Sequence, residues 1–223
     1  MRSMMTRLIL VLAIGSVASG SPLAGDLEPP GSPAPTMVTL QEIYDLIQSQ
    51  GSLSVARTGQ TGCWDEPGTP VACAGTGQDG EYQAGVSVSP RFTDNGDGTV
   101  KDHLTGLIWL KNAGCFGLGN WADDLSDANT LADGSCGLTD GSAAGDWRLP
   151  NVRELHSLID FQHSSPALPT GHPFSLVQSI HYWSSTTDAG ATARAWNVHL
   201  GSGNVGNFFK TSFGHVWPVR DGQ

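Results

Sequence analysis

Four cysteines, Cys63, Cys73, Cys115 and Cys136, limit what this chain can fold into, because oxidising them ties loops shut whatever the rest of the sequence does. They allow three pairings. Nearest-neighbour pairing, Cys63 with Cys73 and Cys115 with Cys136, closes two local loops and is the expected one. Zinc is the competing use of four cysteines, but no C-x-x-C pair occurs and no histidine stands at ligand spacing from them. The N-terminus favours oxidation. Arg2 and Arg7 flank the apolar run LILVLAIGSVA, and Ala18 and Gly20 stand at −3 and −1 of a cleavage site, so residues 1–20 read as a secretory signal peptide. The run is too short and too rich in Gly and Ser for a span, which needs about 20 apolar residues. No cysteine precedes Cys63 to carry a lipid, and no second apolar segment follows. The expected product is exported and not membrane-spanning, and is secreted, periplasmic or held at the cell surface.

With 29 Gly, 13 Pro and only 14% charged residues in 223, the chain suits a loop-rich β or α+β domain. Its net charge of −10 is unevenly spread: from Trp147 onward 4 acidic residues face 5 basic ones, and six of the seven histidines lie there. Nucleic acid is excluded as a partner, since phosphate neutralisation needs clustered Lys and Arg.

Residues 21–36, which include GDLEPPGSPAPT, form a Pro-rich linker. A short helix follows over 37–51, with Thr39 and Glu42 at capping-box spacing and Gly51 as its stop. The main domain occupies 52–223. Phe92, Val100, Leu107 and Trp109 mark strands, and NWADDLSDANTLADG predicts a helix capped by Asn120 and ended by Gly134. LPNVRELHSLIDF predicts a second, capped by Asn151 with Glu154 three residues on and Leu155, Leu158 and Ile159 inward. HYWSSTT, ARAWNVHL, VGNFFKT and GHVWPVR return to strands, with GSGN as the turn between the middle two. The order is α+β. Trp109, Trp121, Trp147, Trp183 and Trp196 fall where core packing needs them, whereas Trp217, beside Pro218, is a candidate for exposure.

RFTDNGDGTVKD, from Arg91 to Asp102, looks at first like a calcium loop. An EF-hand needs oxygen donors at alternate positions and a carboxylate at the twelfth; counted from Asp94, the third and fifth positions are Gly96 and Gly98 and the twelfth is Thr105. Asn-Gly and Asp-Gly instead predict a hairpin turn. Asp94, Asp97 and Asp102 are the residual metal candidates, to be decided by whether they converge. No G-x-S-x-G elbow is present, and Asp123, Asp124 and Asp127 are expected on the wet face of their helix, so no catalytic residue and no cofactor is predicted. In AWNVHL the alternation puts Trp196, Val198 and Leu200 on one face and Asn197 and His199 on the other. Asn197, His199, Asn204, Asn207, Lys210, His215 and Trp217 are therefore the candidate ligand-binding residues.

RFTDNGDGTVKDHLTGLIWLKN, DWRLPNVRELHSLID, YWSSTT with ARAWNVHL, and the terminal VWPVR together resemble the bacterial Lcl C-terminal domain family, named for a secreted collagen-like adhesin, over Thr58 to Arg220. WRLPNVREL is also similar to an element of formylglycine-generating-enzyme-type domains. The resemblance implies a C-type-lectin-like fold: a twisted antiparallel sheet, two flanking helices and long loops. It further implies a non-enzymatic binding or adhesion module whose partner is an extracellular glycan or a surface protein. The adhesin's Gly-X-Y repeats do not occur here. A structural subunit that self-associates through its 37–51 helix, as a homotrimer, is the alternative. An enzyme of formylglycine-generating type is a third reading and predicts free thiols.

Overall fold

Three sheets and three helices make up residues 55–222, the part of the chain that the computed structural model describes. The expected signal peptide (1–20), linker (21–36) and helix (37–51) lie outside the described residues. A two-stranded hairpin, β1 (Cys63–Trp64) and β2 (Pro70–Val71), opens the fold and is closed by the Cys63–Cys73 disulfide. The single turn of α1 (Asp79–Tyr82) follows. The second disulfide joins Cys115 to Cys136, so the expected local pairing is the one found.

β3 (Phe92–Asp94) and β4 (Thr99–Asp102) pair antiparallel around the Asn95–Gly98 loop. Gly96 and Gly98 take φ +80° and +86°, the left-handed conformation that the Asn-Gly and Asp-Gly steps predict. β5 (Ile108–Leu110) and the terminal β11 (Val219–Arg220) complete a four-stranded sheet in the order β11-β5-β4-β3. The second sheet contains β6 (Leu118–Asn120), β7 (His181–Thr187), β8 (Arg194–His199), β9 (Val205–Phe209) and β10 (Phe213–His215), ordered β6-β10-β7-β8-β9. Its ladders are antiparallel except β10 on β7, which run parallel with His215 opposite Tyr182.

Two helices flank this sheet. The first, α2 (Trp121–Thr130), starts where Asn120 accepts the backbone N–H groups of Ala122 and Asp123. It ends four residues before Gly134, with Leu131 already extended and buried. The second, α3 (Val152–Ser157), carries a complete capping box: Asn151 accepts from the N–H groups of Arg153 and Glu154, and Glu154 accepts from that of Asn151. At six residues it is too short to hold alone, and Leu155 and Leu158 anchor it in the core.

The five-stranded sheet is covered on both faces, which divides the core. Tyr182, Val198 and Leu200 point to the α3 side and join Trp109, Trp147 and Trp217 in the larger cluster. Trp183, Ala195 and Val216 point to the α2 side and pack with Ala128, Leu125 and Trp121. Each fully buried tryptophan withdraws roughly 200 Å² from water, worth on the order of 5 kcal/mol before ordering costs. Trp217, expected as a candidate for exposure, is 0% exposed and donates its indole N–H to the Leu110 carbonyl at 2.8 Å. Trp121 and Trp196, expected in the core, are only half-buried.

The hairpin loop is pinned from outside. Lys111 donates its N–H to the Gly98 carbonyl, and Thr139 donates to that of Asp97. A methyl group on Gly98 would run into the Gly137 carbonyl, whereas one on Gly96 would meet open space. Gly96→Ala should therefore cost about 1 kcal/mol, the backbone penalty alone. Gly98→Ala should cost clearly more in a urea melt, and equal losses would refute the packing role of Gly98.

Candidate functional site

The three hairpin aspartates do not converge. Asp94 pairs with Lys111 at 2.6 Å and accepts from the Gly96 N–H, and the Lys111 bond holds its carboxyl below the ordinary range. Asp97 accepts from the backbone and hydroxyl of Thr99. Asp102 is buried at the other end of β4, where it accepts from the Leu104 N–H and the Thr105 hydroxyl, both at 2.9 Å, and meets Arg91 at 3.5 Å. Each carboxylate closes its own turn. Among the described residues no three His, Cys, Asp or Glu side chains come together as a metal site.

The ligand candidates from the late strands separate into three groups. Asn197, His215 and Trp217 are buried and cannot meet a ligand from solution. The alternation correctly turns Asn197 away from Val198, but α2 and Phe208 cover that face too, so a polar residue off the apolar stripe is not thereby wet. His215 packs on the Tyr182 ring, and burial holds it below the ordinary histidine range. His199 lies half-buried on the same side as Asn197. Asn204, Asn207 and Lys210 reach the surface around β9.

Asn207 belongs to a small lattice that sequence reasoning missed. In the β8–β9 ladder Arg194 stands opposite Phe209, and Trp196 opposite Asn207. Spacing by two along each strand puts all four on one face. Arg194 donates to Asn207 Oδ1 at 3.0 Å, and Asn207 Nδ2 donates to Asp188 at 2.5 Å. The Arg194 guanidinium lies 4.3 Å from the Phe209 ring centre, and Phe209 is 53% exposed at the sheet edge. Trp196 supplies a half-buried aromatic beside the chain of polar groups. Lys210 sits at the end of the ladder, with its ammonium 4.0 Å above the Trp121 ring and 2.9 Å from the Thr187 hydroxyl. Fixed hydrogen bonds and stacked cations hold these side chains in place before any ligand arrives. The signal for Arg194 and Phe209 lay in the cross-strand register, which a sequence without its turn geometry does not supply.

A cleft of about 430 Å³ lies between Leu125, Ser126 and Asn129 of α2 and the Arg148–Leu149 stretch. Its arginine is spent: Arg148 forks onto Glu154 at 2.7 and 2.8 Å and reaches Asp221 at 2.9 Å, so its charge is met within the chain.

A family model, the Lcl C-terminal domain, matches residues 98–220. The chain belongs to the Lcl C-terminal domain family. The match starts inside the β3–β4 hairpin loop and ends at Arg220, so it takes in both flanking helices and the β8–β9 lattice. A comparison with curated proteins found no match. No helix among the described residues is long and apolar enough to cross a membrane.

One carboxyl of this Lcl C-terminal domain contradicts its expected place. Asp124 is not on the wet face of α2 but 1% exposed, wedged over Gly119, and its Oδ2 has no hydrogen-bond partner. Burial, then the neighbouring Asp127 and Asp123, push its pKa from 3.8 up to about 7. The folded protein thus keeps a proton that the unfolded chain releases, and stability falls as pH rises from about 4 to about 7. Asp124→Asn should remove that slope. In urea melts the variant should match the parent near pH 4 and exceed it by roughly 4 kcal/mol near pH 8; an unchanged slope would sink the assignment.

Proposed function

We propose that the chain is an exported, non-enzymatic binding or adhesion module, and that the Arg194–Phe209 and Trp196–Asn207 rungs are its ligand surface, with an extracellular glycan as the ligand class. The observation that carries this reading is the pairing of aromatic side chains with prearranged polar groups on one partly exposed strip, half-buried at Arg194, Trp196 and Asn207 and open at Phe209. Sugars offer C–H faces to aromatic rings and hydroxyls to planar amide, guanidinium and carboxylate groups, and that strip holds both. Two disulfides suit an oxidising compartment, in keeping with the signal peptide. They also take up all four cysteines, which leaves no thiol for chemistry of the formylglycine-generating type. The C-type-lectin-like arrangement belongs to the same reading, supported by two helices on opposite faces of a mostly antiparallel sheet and by the long loop between α3 and β7.

A glycan array probed with residues 21–223 tests it. Binding should weaken at least about tenfold, or about 1.4 kcal/mol, in Trp196→Ala and in Asn207→Ala. Phe213→Ala, an exposed aromatic on β10 outside the strip, should leave it unchanged. A folded protein that retains no saccharide or extracellular polymer would remove the glycan reading.

A further inference from the structure

We infer that His181 and His199 form a binding site for a late first-row divalent cation, of the zinc, nickel or copper class, held between their Nε2 atoms. The two residues are direct cross-strand partners in the β7–β8 ladder, which places their Cβ atoms about 5 Å apart on one face of the sheet. Their ring centres lie 4.6 Å apart with the planes at 70°. Both are half-buried, so an ion can reach them.

The surroundings prepare His181 as a ligand. Its Nδ1 lies 2.8 Å from Asn197 Oδ1. A carboxamide oxygen only accepts, so Nδ1 carries the proton and Nε2 keeps a bare lone pair. Metal-binding histidines are set in this way, by an outer acceptor that fixes tautomer and ring orientation. Asn197 is 1% exposed and cannot swing away. Phe208 closes one side, its ring centre 4.4 Å from that of His181.

His199 is placed by the turn that follows it. Its Nδ1 lies 3.1 Å from the Ser202 hydroxyl, which can accept that proton and leave Nε2 free. A Cβ at Gly201 would stand 2.7 Å from the His199 Cε1 and 2.8 Å from the Ser179 carbonyl oxygen, so glycine leaves room for the ring beside the turn. Asn197, Ser202 and Phe208, the side chains that bond to or stack on the pair, are all uncharged.

Imidazole donors favour zinc, nickel and copper over calcium and magnesium, which take oxygen. Two protein ligands leave the remaining positions to water or to a donor from outside, which makes the site open. The pair lies on the opposite face of β8 from Trp196 and Arg194, so it stands or falls independently of the proposed ligand surface.

Calorimetric titration of the full chain with zinc chloride and with nickel chloride, in a non-coordinating buffer near neutral pH, tests the site. One ion should bind, calcium chloride should give no heat, and His181→Ala and His199→Ala should each weaken binding at least about tenfold. His156→Ala, which alters a histidine outside the pair, should bind as the parent does. Nitrogen chemical shifts of the parent protein add a measurement that needs no variant: the Nε2 signals of His181 and His199 should move on adding zinc. Unmoved Nε2 signals, or unchanged affinity in both variants, overturn the proposal.

Discussion

The C-terminal segment VWPVR holds the two main sheets together. Trp217 lies at the meeting point of Trp109, Phe174 and Tyr182, with ring centres 5.7, 4.8 and 5.6 Å away, so it touches residues from β5, the long loop and β7 at once. Its N–H bonds to the Leu110 carbonyl, and Leu110 returns its own N–H to the Pro218 carbonyl at 3.0 Å. One residue on, Val219 exchanges both backbone hydrogen bonds with Arg148, at 3.0 and 2.9 Å. VWPVR therefore runs between IWL and WRLP. Pro218 is tolerated in this position because the ladder asks it only for an acceptor.

That strap explains why both faces of the five-stranded sheet are dry over much of their extent. α3 and the Trp217 cluster cover one face and α2 covers the other, so polar residues within the strands must find partners inside. In the neighbouring four-stranded sheet Asp102 does so with a turn N–H, a hydroxyl and an arginine. Asn197 does so only in part: its Oδ1 meets His181 Nδ1, while its Nδ2 has no partner. Asp124 does not, and it remains in place by keeping its proton. The space it occupies exists because Gly119 and Gly214 stand opposite each other in the β6–β10 ladder; Asp124 lies over the first, and the Trp183 indole nitrogen would come within 2.8 Å of a Cβ on the second. Small residues at paired positions let the helix approach the sheet closely, and a buried carboxyl accompanies that close approach.

β8 shows how one strand can serve two unrelated purposes. Arg194, Trp196 and Val198 alternate with Ala195, Asn197 and His199. The first set turns outward at the edge beside β9 and inward to the core further along. The second runs from the α2 cluster to the histidine pair at the uncovered end of that face. Neither purpose follows from the residue types alone, since the same histidine or tryptophan in another register would be packing.

The sequence by itself determined the elements whose causes are local. Asn95–Gly98 had to turn because its glycines take positive φ, Asn120 and Asn151 had to start helices because their side chains cap backbone N–H groups, and the cysteine loops closed on their nearest partners. The resemblance carried by linked motifs such as WRLPNVREL and VWPVR also named the family. What faces solvent was decided only by the tertiary structure. Trp217 looked free beside a proline and became the anchor, because IWL and WRLP approach from distant parts of the chain. Asp124 looked wet on its helix and is buried, because a glycine pair elsewhere leaves room beneath it. Arg194 and Phe209 became neighbours only through register. Burial is a property of pairs of surfaces, and a periodicity read along one strand or helix cannot say what will come to lie on its other side.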